Sequence, residues 1–398
     1  MSKNKKLVPK RRFNRFEKDK QWFIEKLSSF AEFSKGNGYS KNDLCEQGLP
    51  ILLYGRLYTQ YETIIRSVDT FIINKKDSTV FSSGDEVVVP ASGETAKDIA
   101  RASFIHKSGI IIGGDLNIIK PKDKVISHFL AISLSSGDQK KELIKRAQGK
   151  TVVHLHNSDL KDIKFIFPTK NEQTQIGEFF KKLDALIQIQ QKKLEKTKTL
   201  KAAYLAEMFP CDSELKPKLR FNGFCSDWQI EKIDNVANRY NNLRIPITAS
   251  NRIPGSTPYY GANGIQDYVK GFTHDGEYIL VAEDGANDLL NYPVQHVKGK
   301  IWVNNHAHVL QGKVNICDNK FLMYAFKCIN MEPYLVGGGR AKLNSDVMMN
   351  IIISAPDIKE QTKIGNFFKL LDKKVALEQR KLEKLNNIKQ AYLNEMFV

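Results

Sequence analysis

Two stretches of 38 residues carry the strongest polarity pattern in the chain. From Glu172 to Phe209, reading EQTQIGEFFKKLDALIQIQQKKLEKTKTLKAAYLAEMF, a stripe recurs at steps of three and four. It runs Phe180, Leu183, Ile187, Gln190, Leu194, Thr197, Lys201, Tyr204, Met208. From Glu360 to Phe397 the same stripe runs Phe368, Leu371, Val375, Glu378, Leu382, Leu385, Lys389, Tyr392, Met396. This spacing is a heptad seam, and it predicts two long helices of about 55 Å that want a partner helix. Aligned at an offset of 188 (360 − 172), the stretches share 22 of 38 residues without a gap. Polar residues interrupt both seams at matching places, Gln190 with Glu378 and Lys201 with Lys389, where they fix register and partner choice. Thr169 with Glu172, and Asp357 with Glu360, predict capping boxes at the helix starts, and Pro210 ends the first helix. Gly177 and Gly365 sit inside the helices at a cost of about 1 kcal/mol each, which predicts close backbone approach there.

Elsewhere the pattern shortens. PILLYG, DTFIIN, EVVVP, GIIIGG, EYILVAEDG and KIWVNN read as strands with tight turns. SHFLAISL and FLMYAFKCI read as helices. The repeat also extends, more weakly, beyond the long helices. Pro9 to Phe16 (PKRRFNRF) is matched by Pro217 to Phe224 (PKLRFNGF), Trp22 by Trp228, and Asn157-Ser158-Asp159-Leu160 by Asn344-Ser345-Asp346-Val347. Between these signals the two interiors look unrelated. The expected division is a basic arm over 1–20, a mixed α/β unit over 21–168, a helix over 169–209, a second unit over 210–356 and a second helix over 357–398. A shared frame around divergent interiors implies two equivalent positions that take two different ligands.

Composition fits a globular chain, with 41% hydrophobic and 26% charged residues. The net charge of +17 suggests a polyanion partner, although the first 20 residues alone hold nine basic and two acidic side chains. Five cysteines without a CxxC pair argue against a disulfide framework and a zinc ribbon. No run approaches the roughly 18–20 apolar residues of a membrane span, and no apolar core follows the basic start, so a cytoplasmic protein is expected. The chain lacks GxxxxGK[ST], GxGxxG before a helix, an NPPY-type tetrapeptide and GxSxG. No catalytic residue is assigned. The His pairs of VVHLH and NNHAH have no nearby Cys and read as structural pairs, so no metal site is assigned.

Several loops instead gather residues suited to nucleic acid. In the first unit these are Asn37, Tyr39 and Lys41, then Tyr54, Arg56 and Tyr58, then Lys150. In the second they are Tyr260, Asn263, Asn287, Asn304, His306, Arg340 and Lys342. Arg suits guanine edges and Asn adenine edges, and glycines beside them let backbone approach phosphate. Arg56 and Arg340 are expected at bases. Lys5, Lys6, Lys10, Arg11 and Arg12 of the arm are expected, where they touch DNA, at phosphates.

At this point the chain resembles a family. EQTQIGEFFKKLD with LKAAYLAEMF, and its second copy, are similar to the conserved regions of type I restriction-modification specificity subunits. KLRFNGFCSDW, YYGANGIQDYV and VNNHAHVL resemble segments of their target-recognition domains. The resemblance implies an α+β fold: two mixed α/β target-recognition domains separated by two long helices, packed as an antiparallel coiled coil with an internal pseudo-twofold repeat. It implies that each domain reads one half of a bipartite DNA site and that the helices set the spacer and dock two modification subunits. S-adenosylmethionine then belongs to those adenine methyltransferase subunits and ATP to translocating, cleaving restriction subunits, with no cofactor in this chain. Two rivals remain from the residues alone: an architectural coiled-coil protein binding DNA without sequence preference, and a self-contained modification or cleavage enzyme.

Overall fold

The structure is a computed structural model and describes residues 7–19, 21–149, 151–210, 214–337 and 341–398. Lys5, Lys6, Lys150 and Arg340 lie outside the described residues. The chain divides into two compact units, one of residues 1–190 and 381–398, the other of residues 191–380. The division cuts both long helices instead of following their ends. Those helices span Lys170–Met208 and Ile358–Glu395.

In the first unit the strand Phe23–Lys26 pairs antiparallel with Lys164–Phe167, directly beside the buried Trp22. Inside this ribbon lies a five-stranded sheet in the order Ala31–Lys35, Leu116–Pro121, Val87–Pro90, Ser103–Ile105, Ile64–Ile65. Its pairs are antiparallel except the last, which is parallel. The apolar run SHFLAISL forms the helix Ser127–Leu134, buried almost throughout. Its Phe129 packs on Trp22, Phe165 and Phe397.

The second unit has the same frame, with Gln229–Lys232 paired to Ile352–Ala355 beside the buried Trp228. Its sheet runs Ala237–Arg239, Ala307–Gly312, His274–Ala282, Val294–Val303, Pro254–Gly261, Gly264–Val269. Again one pair is parallel, that between Pro254–Gly261 and Val294–Val303. The first five strands therefore repeat the order and sense of the first unit's sheet, and the helix Asn319–Cys328 stands where Ser127–Leu134 does. The interiors that look unrelated in sequence share one topology. A strand order needs alternating apolar side chains and suitable turns, and many sequences supply these without identity.

The seam follows the pattern closely. Phe180, Leu183, Leu194, Thr197 and Met208 are buried in the first helix and Phe368, Leu371 and Glu378 in the second, with Met396 buried just past its end. The remaining seam positions are half-buried. Within the first unit, the Phe179 ring lies 4.8 Å from that of Tyr392, and Asp184 accepts Lys389 at 2.5 Å. Within the second, Tyr204 lies 5.1 Å from Phe367, Lys201 pairs with Asp372, and Lys193 approaches the buried Glu378 at 3.3 Å.

The helix starts depart from expectation. Asp357 does cap its helix, accepting from the amides of Lys359 and Glu360 at 2.9 and 3.1 Å. The glutamates of the two expected capping boxes, however, turn to arginines. Arg12 grips Glu172 with Nε at 2.7 Å and Nη2 at 2.6 Å, and Arg220 grips Glu360 at the same two distances. Both carboxylates are fully enclosed. Arg12 is thus spent on a buried ion pair, which corrects its expected place at a DNA phosphate. Arg11 likewise pairs with Glu395 at 2.6 Å, on the surface. The neighbouring glutamines also act alike. Gln173 bonds the Lys124 and Pro168 carbonyls and the Ile126 amide. Gln361 bonds the Ile316 and Pro356 carbonyls and the Asp318 amide. The close backbone approach expected at the helix glycines is present at Gly365 alone, where a Cβ would lie 2.9 Å from the Phe321 amide nitrogen as well as 2.8 Å from Asp318 Oδ1; at Gly177 the neighbour is a side chain, His128 Nδ1 at 3.1 Å.

Candidate nucleic-acid interface

In the second unit the described candidates form one connected cluster at the ends of the central strands. The hairpin between Pro254–Gly261 and Gly264–Val269 turns at Asn263. Asn263 Nδ2 donates to the Gly285 carbonyl at 2.9 Å, and its Oδ1 accepts the Asn287 amide at 3.0 Å. Asn304 is buried. Its amide donates to the Tyr260 carbonyl at 3.1 Å, and its Oδ1 accepts the His306 amide at 2.8 Å. His306 meets Asp284 through Nδ1.

Beneath this cluster sits Glu283, which accepts Arg244 at 2.6 Å and Lys342 at 3.2 Å. Burial alone would raise the Glu283 carboxyl, but Arg244 and Lys342 hold it below the usual range. His308 is fully buried, donates Nε2–H to the Leu343 carbonyl at 2.9 Å and accepts Asn241 Nδ2 at Nδ1. Burial pushes its pKa down, so it is a neutral structural group. The cluster leaves Asn263, Asn287 and Lys342 exposed and Tyr260 and His306 half-buried. Arg244 was not legible as a member, since nothing near NNLR signals a partner 39 residues away.

The first unit holds its candidates in two loops that flank Gly113-Gly114-Asp115. Gly36 lies so close to Gly113 that a Cβ would sit 2.0 Å from its carbonyl oxygen. Asp115 itself adopts a left-handed φ of 58°. Asn37 Nδ2 donates to the Ser78 carbonyl at 3.0 Å. Tyr39 is buried, its hydroxyl bonded to Thr79 and to the Lys76 amide, its ring 4.5 Å from the Lys76 ammonium. Lys41 is exposed. In the second loop Tyr54 is exposed, while Tyr58 donates to the Ser92 carbonyl at 2.5 Å and is raised in pKa by burial. Arg56 pairs with Glu62 at 3.0 Å and with Asp69. A base edge would have to compete with two carboxylates for that guanidinium.

Among the described residues no group of three or more His, Cys, Asp or Glu side chains could hold a metal ion. No described helix is long and apolar enough to cross a membrane.

The family model of the type I restriction modification DNA specificity domain matches residues 19–199 and again 225–387. The chain belongs to this family. Each matched region takes in one unit's sheet and most of the long helix that follows it. A putative type I restriction enzyme specificity subunit of Haemophilus influenzae is 45% identical over 152 residues, spanning 38% of each chain. The putative type I restriction enzyme MjaX specificity subunit of Methanocaldococcus jannaschii is 21% identical over 306 residues, 72% of this chain and 71% of that one. A crystal structure of the type I restriction-modification system S subunit from M. genitalium superimposes with a TM-score of 0.69 at 18% identity, covering 98% of this chain and 99% of that one. At that identity the likeness speaks for the fold of the specificity family.

Proposed function

We propose that this chain is the DNA-reading subunit of a type I restriction-modification complex, with each unit reading one half of a bipartite, asymmetric site. The observation that carries the reading is the repeated strand order: one topology, held in one frame, presents different loop chemistry in each unit. Asn263, Asn287, His306 and Lys342 are the proposed readers of the second half-site, and Tyr54 and Lys41 touch DNA in the first. Tyr39, Asn304 and Tyr58 position loops. Arg340 and Lys150 remain proposed contacts, and Arg56 reads a base only by leaving its carboxylates.

The two long helices act as an antiparallel coiled coil that relates the readers by a pseudo-twofold. This is supported inside each unit by reciprocal contacts, Phe179 with Tyr392 and Asp184 with Lys389, then Tyr204 with Phe367 and Lys201 with Asp372. About 55 Å of helix matches roughly 16 base pairs of duplex, which suits half-sites one turn apart. The helices dock two modification subunits, which bring S-adenosylmethionine and methylate adenine, and restriction subunits bring ATP. The chain itself is non-catalytic and works in the cytoplasm, where the DNA is.

The test is methylation by the purified modification subunits with and without this chain. Adenine methylation confined to one bipartite sequence, and only when the chain is present, is expected. Methylation by the chain alone, or the same methylation without it, overturns the proposal. Equal affinity of the assembled complex for all sequences would favour the architectural rival.

A further inference from the structure

In the second unit the loop of residues 283–293 carries a feature that the polar candidates leave unexplained. Leu290 is 96% exposed, more than any other large apolar residue described, and Leu289 beside it is 43% exposed. A single exposed leucine is ordinary on a protein surface. This one is held out on a braced turn. The Asp288 carboxylate accepts the amides of Leu290 and Asn291 at 3.0 and 2.9 Å through Oδ1, and the Asn291 side-chain amide at 2.9 Å through Oδ2. Before the turn, the Asn287 amide is fixed on Asn263 at 3.0 Å and Ala286 packs against the core. After it, Tyr292 is buried and its hydroxyl donates to the Ala282 carbonyl at 2.9 Å. The loop is closed at both ends, so the ordering that a contact at its tip would otherwise require is largely made in advance.

The tip also stands beside a free polar group. Asn287, three residues before Leu290, is exposed, and its side-chain amide has no hydrogen-bond partner among the described residues. An Asn amide matches adenine N6 and N7 in the major groove. The thymine paired with that adenine shows its C5 methyl in the same groove, and an apolar side chain is what meets it there. A G·C pair offers no such methyl. Three residues span at most about 10 Å, and successive base pairs are about 3.4 Å apart, so the two side chains reach the same or the adjoining pair. The turn therefore presents the polar and the apolar half of an A·T code together.

We propose that Leu290 is a specificity-determining residue of the second half-site, packing on the C5 methyl of a thymine at or next to the base pair that Asn287 reads. This rests on the assignment of that half-site to the second unit. Burying one methyl group is worth about fourfold in affinity, which sets the size of the effect.

Replacing thymine by uracil removes that methyl and nothing else. Affinity of the assembled complex would be measured for duplexes carrying uracil at each thymine in turn, with the parent chain and with Leu290→Ala. The parent should lose about fourfold at one thymine of the second half-site. Leu290→Ala should bind the thymine and uracil duplexes alike at that position and leave the first half-site's profile unchanged. Asn287→Ala should relax discrimination at that base pair or the adjoining one. A cognate preference with no uracil-sensitive thymine in the second half-site would overturn the proposal and leave the half-site reading standing. So would a uracil penalty that persists in Leu290→Ala, or equal weakening of every duplex by that variant, as a contact with another subunit would give. Absence of any sequence preference in the parent complex would overturn both.

Discussion

Removing Arg220 should destabilise the second unit more than any exposed charge change. Its guanidinium makes two charge-assisted hydrogen bonds, 2.7 and 2.6 Å long, to a Glu360 carboxylate that is 0% exposed. In Arg220→Ala that carboxylate keeps its burial and loses its counter-charge. Breaking one side of a buried pair costs about 3–5 kcal/mol. The Arg220 side chain is itself 14% exposed, so water can reach the vacated space and the lower end, about 3 kcal/mol, is expected. Adding Glu360→Gln should recover part of the loss, because a neutral amide needs no counter-charge. Arg220→Lys should fall between, since an ammonium cannot reproduce the fork. Urea unfolding followed by tryptophan fluorescence measures this. In a Trp22→Phe background Trp228 and Trp302, both in the second unit, carry the signal. A loss under about 1 kcal/mol, or no recovery in the double variant, would refute the reasoning. Arg12→Ala should do the same to the first unit, without the uniform drop in DNA salt slope expected of a phosphate contact.

Three other substitutions test the packing around the helices. Gly365→Ala should cost about 1–3 kcal/mol of stability by urea unfolding, because its Cβ would press on Asp318 Oδ1, Lys320 Cβ and the Phe321 amide within 2.9 Å. Gly177→Ala, 3.1 Å from one side-chain nitrogen, should cost less and be partly offset by about 1 kcal/mol of helix propensity. Burial pushes His128 down to about 4, so the folded chain refuses a proton that the unfolded chain accepts below its ordinary value near 6.5. Its contribution is intact above pH 6.5 and is lost as pH falls to about 4, roughly 3 kcal/mol in all. His128→Leu should flatten stability against pH in that window, and an unchanged slope there would contradict it.

The parts of this fold that depend on local periodicity were legible. The seam positions are the buried stripe, SHFLAISL is the helix Ser127–Leu134 to the residue, and EVVVP and KIWV end up in central strands. What escaped depends on partners far along the chain. Arg12 and Glu172 are 160 residues apart, Arg220 and Glu360 140, and the capping box offered a nearer and wrong partner for each glutamate. A signal did exist: Arg12 and Arg220 hold the same place in the PKxRFN repeat, as the glutamates do in the EQT repeat. The shared strand order left no such trace. At the candidate site, residue type picked out loops that the second unit brings together, with six candidates in one cluster. It could not separate readers from supports. Tyr39 and Asn304 have the chemistry of readers but are buried, and their burial comes from Thr79, Tyr260 and other residues distant in sequence.

The central claim is that each unit reads its own half-site, and an interior exchange tests it most directly. Residues 24–156 would be replaced by the corresponding interior of a relative, leaving Trp22, the strand Lys164–Phe167, the Arg12–Glu172 pair and both helices in place. Methylated adenines in host DNA would then be mapped for the parent and the exchanged chain. The account predicts that one half of the methylated sequence changes, while the other half and the spacing between them stay. Both halves changing together, or neither, would contradict it.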